Sequence, residues 1–284
     1  MGAAWRKVDG VDWSALRAAR LQAHYAVQWL ARAARAYVPM SPNDHHTNLG
    51  WDDAIGGLTT HAFSRGAVLG LDVADLTLTW RDSPSNPASV RAEARAIGLA
   101  GRRDTDIRAW LGGHLSAQGL DAAALDAPSP YQMPEHPLAH GAPYGAAGPA
   151  ALAALAAWFA NANQVLDKTR QDILARGIDA PLVRCWPHHF DLDSLIALAA
   201  APARTVGLGF CPGDEYYDQP YFYVSCHPRP DVAALPHLPP VGHWHTHHFT
   251  AAVAIADRIL EAGDQRAATQ AFLRAATDIL LPPQ

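Results

Sequence analysis

The chain runs twice through one order of elements, a long amphipathic helix, then several short strands, then helix. The two passages are separated by "DAPSPYQMPEHPLAHGAPYGAAG" at 126–148, rich in Pro and Gly and without periodicity. A unit of that order packs its helices against an antiparallel sheet. Two such units in tandem are expected to form one α+β body over 1–284, with pseudo-repeats at 12–125 and 149–284 joined by the 126–148 loop.

Helical spacing is clearest in the first element. Asp12 offers an N-cap, Leu16, Ala23, Val27, Leu30, Ala34 and Tyr37 fall on one stripe, and Pro39 stops the pattern. The second long helix is expected over 149–175, with Leu155, Phe159, Val165 and Leu166 among its apolar positions. Strands are expected in "WDDAIGGLTTHAF", "AVLGLDVADLTLTW", "PLVRCW", "FDLDSLIAL", "RTVGLGF" and "PYFYVSC", and a shorter helix in "DIRAWLGGHLSAQGL". The end of the chain reads as helices over 250–262 and 264–280, parted by Gly263 and capped at Asp264. Short echoes support the duplication: Gln28-Trp29-Leu30 stands before Trp51 as Gln164-Val165-Leu166 stands before Trp186, and "VLGLD" resembles "VGLGF".

Composition removes several classes of function. With 49% hydrophobic and 17% charged residues the chain has ample core material. A net charge of −5 with scattered Lys and Arg offers no stripe for phosphates, which argues against nucleic acid and against an anionic membrane surface. The start lacks a secretory apolar stretch, and "AALAALAAWFA" is too short to span a bilayer, so a cytoplasmic location is expected. Three cysteines without a CxxC pair point to neither a disulfide framework nor a zinc ribbon. "GLGFCPG" has one residue too many for a dinucleotide loop, and Walker A, HExxH, GxSxG and kinase signatures are absent.

Histidine is the unusual residue. Fifteen occur, clustered at 45–46, 188–189 and 243–248. "HWHTHH" resembles the HxHxDH box of metallo-β-lactamase-type hydrolases, but only 36 residues follow His248, too few for the downstream ligands of that fold. If 243–247 is extended, His243, His245 and His247 share one face and can hold zinc or iron with an open position for water. If a helix starts early, His243 and His247 pair instead; a solvated loop is the third alternative. In "PHHFDLD", alternation groups His189 with Asp191 and Asp193, as a ligand-orienting knot or as a strand-entry turn. His24 and Gln28 are i, i+4 neighbours that line a pocket or form a polar helix stripe. Tyr216, Tyr217, Tyr221 and Tyr223 form an aromatic patch around Asp214 and Glu215, as a binding wall or the cover of a core edge.

Taken together, His24 with Gln28, His46, "GLTT" at 57–60, "FDL" at 190–192, "GFCPGD" at 209–214, "YFYV" at 221–224 and Trp244-His245 resemble a bacterial family catalogued as a domain of unknown function. Order and spacing agree from about 13 to 260, while histidines 45, 188, 189, 243, 247 and 248 depart from the pattern. The resemblance carries no activity. It implies a polar pocket lined from both halves, with His24, Gln28, His46, Asp191 and His245 foremost.

The expected function is a metal-binding enzyme, with metal-assisted hydrolysis as the default reaction on a small-molecule substrate. His243, His245, His247 and His188 would hold a divalent metal, zinc or iron, and Asp191 would orient a ligand or act as general base. His24, Gln28 and His46 would position substrate. The alternatives are a small-molecule-binding module without metal and a protein–protein component whose His-rich loop reports pH.

Overall fold

The computed structural model describes residues 4–82, 95–145, 147–198 and 203–281. It is an α+β fold with two antiparallel sheets and five α-helices among the described residues. The chain divides into two compact units. One comprises Ser14–Ala156 and Cys185–Phe190; the other comprises Met1–Trp13, Ala157–Arg184 and Asp191–Gln284. The 126–148 loop lies wholly inside the first of these, so the units do not part where the composition changes.

The five-strand unit opens with α1 (Trp13–Tyr37), which buries Leu16, Ala23, Val27, Leu30, Ala34 and Tyr37, the stripe read from the sequence. Strands β1 (Gly50–Asp52), β2 (Gly57–Thr59), β3 (Val68–Asp72), β4 (Thr77–Arg81) and β5 (Ala96–Gly98) pair in chain order as an antiparallel meander. In β4 the alternation is plain: Leu78 and Trp80 are buried while Thr77 and Thr79 are only partly so. Helix α2 (Asp104–Ala117) follows, its first turn held by the Asp106 carboxylate accepting from the Arg103 N–H at 2.9 Å.

Helix α3 (Pro149–Ala175) starts with proline at its first position, where no backbone donor is needed. The six-strand sheet is built by β6 (Arg184–Trp186), β7 (Asp191–Leu198), β8 (Arg204–Cys211), β9 (Tyr221–His227), β10 (His243–His245) and β11 (Ala251–Ile255). Its order is β10-β11-β9-β8-β7-β6. Two helices close the chain, α4 (Ala256–Leu260) and α5 (Gln265–Leu280), and Asp264 caps α5 by accepting from the Ala267 N–H at 2.9 Å.

The expected helix over 250–262 forms only in its second part. "AAVAI" is instead β11, inserted between β9 and β10, paired to β9 along its whole length and to β10 at Ala251, Ala252 and Val253. A short apolar run has no periodicity that separates a buried strand from a buried helix, and here the backbone partners of two neighbouring strands decide it. The sheets differ in strand number and order, so their topology does not establish a duplication. No described helix is long and apolar enough to cross a membrane.

Candidate functional site

The six-strand sheet has two unlike faces. Leu192, Val206, Leu208, Phe210, Phe222 and Val224 are fully buried, and on this face α3 lays Trp158 and Phe159 against Phe210, with ring centroids 6.3 and 5.5 Å away. Alternation sends Asp191, Asp193, Gly207, Gly209, Tyr221, Tyr223 and Ser225 to the opposite face. Register joins that face into rows. One row runs Asp193, Gly209, Tyr223, Val253, His243; the next runs Leu195, Gly207, Ser225, Ala251, His245. Asp191, Asp193, Tyr221, Tyr223, Ser225, His243 and His245 therefore share one surface of the sheet.

At one edge of that surface, His243 and His245 converge on a tyrosine. The Tyr217 hydroxyl is 2.9 Å from His243 Nε2 and 2.8 Å from His245 Nδ1. His245 Nε2 lies 2.5 Å from the His247 carbonyl, which only accepts, so Nε2 carries the hydrogen and Nδ1 presents its lone pair to Tyr217. The consistent arrangement is His243 Nε2–H donating to Tyr217, and Tyr217 O–H donating to His245. His243 has its pKa lowered, first by burial and then by His245 and Arg258, which favours the neutral ring.

Local sequence explains how Tyr217 arrives there. In "CPGDEYYD", Asp214 Oδ1 accepts from the Tyr216 and Tyr217 N–H groups at 2.8 and 3.0 Å, an Asx turn that folds the loop back. Its Oδ2 accepts from the Tyr221 hydroxyl at 2.6 Å, tying the turn to β9. The His245 ring also stacks on Phe249 at 4.1 Å, which fixes its orientation.

Asp191 and Asp193 lie toward the opposite edge. The Tyr223 hydroxyl donates to Asp191 Oδ2 at 2.8 Å, its ring crossing β8 above Gly209. Asp193 has its pKa raised to about 8, by burial first and then by the Asp191 charge, with backbone donors and Tyr223 opposing. It therefore keeps a proton at neutral pH. Tyr223 is pushed well above its ordinary value by burial and the two carboxylates. At about 4.8 Å per strand, the four steps from Asp193 to His243 span roughly 19 Å. Asp191 is correspondingly distant from the histidine pair, so the expectation that it orients one of those ligands is not met.

The remaining expected residues sit in the five-strand unit. His24 Nε2 donates to the Pro187 carbonyl at 2.9 Å, and Gln28 Nε2 donates to the same oxygen at 2.8 Å. Gln28 Oε1 accepts from the Tyr131 hydroxyl at 2.7 Å, and Phe190 stacks on His24 at 5.3 Å. His24, with its pKa lowered to about 4 mainly by burial, is a neutral clamp on the 187–190 turn. His46 is buried, and its Nδ1 faces the Ser41 N–H at 3.5 Å, at the limit of a hydrogen bond. His188 lies among the rings of Tyr131, Trp186 and His189, its pKa lowered to about 4 by burial and His189. His188 and the three histidines of 243–247 thus belong to different units.

Of the four expected metal ligands, the structure brings together the rings of His243 and His245. His247 lies beyond β10 and contributes its carbonyl, while its own ring packs on His248 at 4.1 Å. Among the described residues no group of three His, Cys, Asp or Glu side chains is placed to hold a metal ion. The residue that sequence reasoning left unassigned is Tyr217, seen only as part of an aromatic patch. The glycines at 207 and 209 were a further signal, because alternate glycines in a strand mark close approach by a neighbour's side chain. The groove of about 420 Å³ lined by Lys168, Asp172, Arg176 and Arg274 contains none of the site residues.

Searches of protein families, of curated proteins and of solved structures find no match for this chain.

Proposed function

We propose that this chain is a metal-binding enzyme whose ion is held by His243, His245 and Tyr217, and that metal-assisted hydrolysis of a small molecule is its reaction class. The observation that carries the reading is the convergence of two imidazole nitrogens and one phenol oxygen at 2.8 and 2.9 Å. Nitrogen and oxygen donors suit zinc or iron. Binding would displace the Tyr217 proton, require the His243 hydrogen to shift from Nε2 to Nδ1, and leave positions open for water, whose acidity a bound metal would raise toward neutrality. The His245 Nε2–H donated to a backbone carbonyl is the outer contact that orients a metal-ligating imidazole.

A second reading has its own observation. The Tyr217 hydroxyl satisfies both rings without an ion, which favours a metal-free module that binds a small polar ligand on the same face. Elemental analysis of untagged protein by plasma mass spectrometry, before and after chelator dialysis and zinc reloading, separates the two. Near one equivalent of zinc or iron, lost in His245→Ala and weakened in Tyr217→Phe, is the expected result. Protein that neither carries nor takes up metal overturns the enzyme reading and leaves the binding module.

A further inference from the structure

The last turns of α3 and the second half of α5 face each other across the groove of about 420 Å³. That volume falls within the roughly 300–1,000 Å³ of small-molecule sites. All of its lining residues belong to the six-strand unit. Its floor is buried and consists of Thr169, Ile173 and Thr277. The Thr169 hydroxyl donates to the Val165 carbonyl and the Thr277 hydroxyl to the Leu273 carbonyl, each at 2.8 Å. Both hydroxyl hydrogens are therefore spent on their own helices, and what the floor offers is hydrocarbon.

The rim is charged. A spacing of four puts Lys168 and Asp172 on one face of α3, with Arg176 just past its end, and Gln270, Arg274 and Asp278 on one face of α5. Asp172 pairs with Lys168, and Asp278 Oδ1 pairs with Arg176 Nη1 at 3.0 Å, from one helix to the other. Both carboxylates of the rim are thus matched by a cation, and one positive charge is left over. It is Arg274, whose guanidinium has no hydrogen bond or ion pair among the described residues; the Gln270 amide, one turn before it, has none either. We propose that this groove binds a small organic carboxylate with an apolar body. The carboxylate accepts from the planar fork of Arg274 and from the Gln270 amide, and the hydrocarbon lies on the floor. The site is separate from the His243/His245/Tyr217 centre and stands or falls independently of it.

The test is calorimetric titration of the full chain with sodium phenylacetate, benzoate and hexanoate, with phenylacetamide and benzylammonium chloride as controls. At least one carboxylate is expected to bind. Phenylacetamide, the same body without the charge, is expected to bind at least about tenfold more weakly, the scale of one charge-assisted hydrogen bond. Arg274 is exposed on α5, so Arg274→Gln leaves the core untouched. That variant should weaken binding by at least about tenfold, and Gln270→Ala should weaken it less. His245→Ala, which disables the other centre, should bind as the parent does. No binding by any of the three carboxylates, equal binding of phenylacetamide or benzylammonium, unchanged affinity in a folded Arg274→Gln protein, or loss of binding in His245→Ala overturns the proposal.

Discussion

Tyr223 reaches Asp191 by laying its ring over Gly209, and the 2.8 Å hydrogen bond between them spans the strand that separates β9 from β7. A Cβ at 209 would stand 2.3 Å from the ring Cζ and 2.7 Å from the Leu192 carbonyl oxygen, so the contact requires glycine. Gly209→Ala is expected to destabilise the protein by about 1–3 kcal/mol, as overpacking does. Urea denaturation measures it. Tyr223→Ala in the same chain should recover only part of the loss, because the backbone clash remains; full recovery would assign the whole effect to the ring.

Asp193 makes stability depend on pH in a definite direction. Its folded pKa of about 8 exceeds the unfolded value of about 3.9, so the folded state binds the extra proton between them. The contribution is complete below the unfolded value and is lost as pH rises through about 8. Asp193→Asn cannot ionise. Its Tm relative to the parent should climb from about pH 5 to about pH 8 and then level off; a constant difference across that window would place the proton elsewhere.

His24 acts at the acid end. Its folded pKa, lowered to about 4, lies below the unfolded value of about 6.5. Its contribution is complete above the unfolded value and is lost as pH falls through the folded one. His188 shifts the same way but has an exposed surface, so His24 should dominate. Thermal melts of His24→Gln are expected to fall less steeply than the parent's from about pH 6.5 to about pH 4. Parallel curves would refute a buried neutral imidazole.

Gln28 serves two partners at once, the Pro187 carbonyl and the Tyr131 hydroxyl. Truncation strands the Tyr131 hydroxyl and leaves the Pro187 carbonyl with His24 as its remaining side-chain donor. Gln28→Ala should destabilise by about 1–3 kcal/mol, the range for orphaning buried polar groups. Gln28→Glu, which keeps the acceptor but loses the donor, should also weaken the fold. A variant as stable as the parent would mean that water replaces both bonds.

The sequence by itself determined the long helices and most strands. The apolar positions of α1 and α3 recur at helical spacing in helices of 25 and 27 residues, far longer than chance patterns persist. It also determined that His243 and His245 share a face, and likewise Asp191 and Asp193, because side chains alternate wherever the chain is extended. Tertiary structure alone decided which of these faces coincide. "AAVAI" became a strand because β9 and β10 offered its backbone partners on both sides. That insertion puts His243 in the row of Asp193 and Tyr223, and keeps it four strands from Asp193. Tyr217 meets the two imidazoles only because the Asp214 turn folds its loop toward β10, a strand 26 residues further along the chain. Pairing between strands distant in sequence is set by the hydrogen bonds and burial of the whole sheet, and no local pattern of residues encodes it.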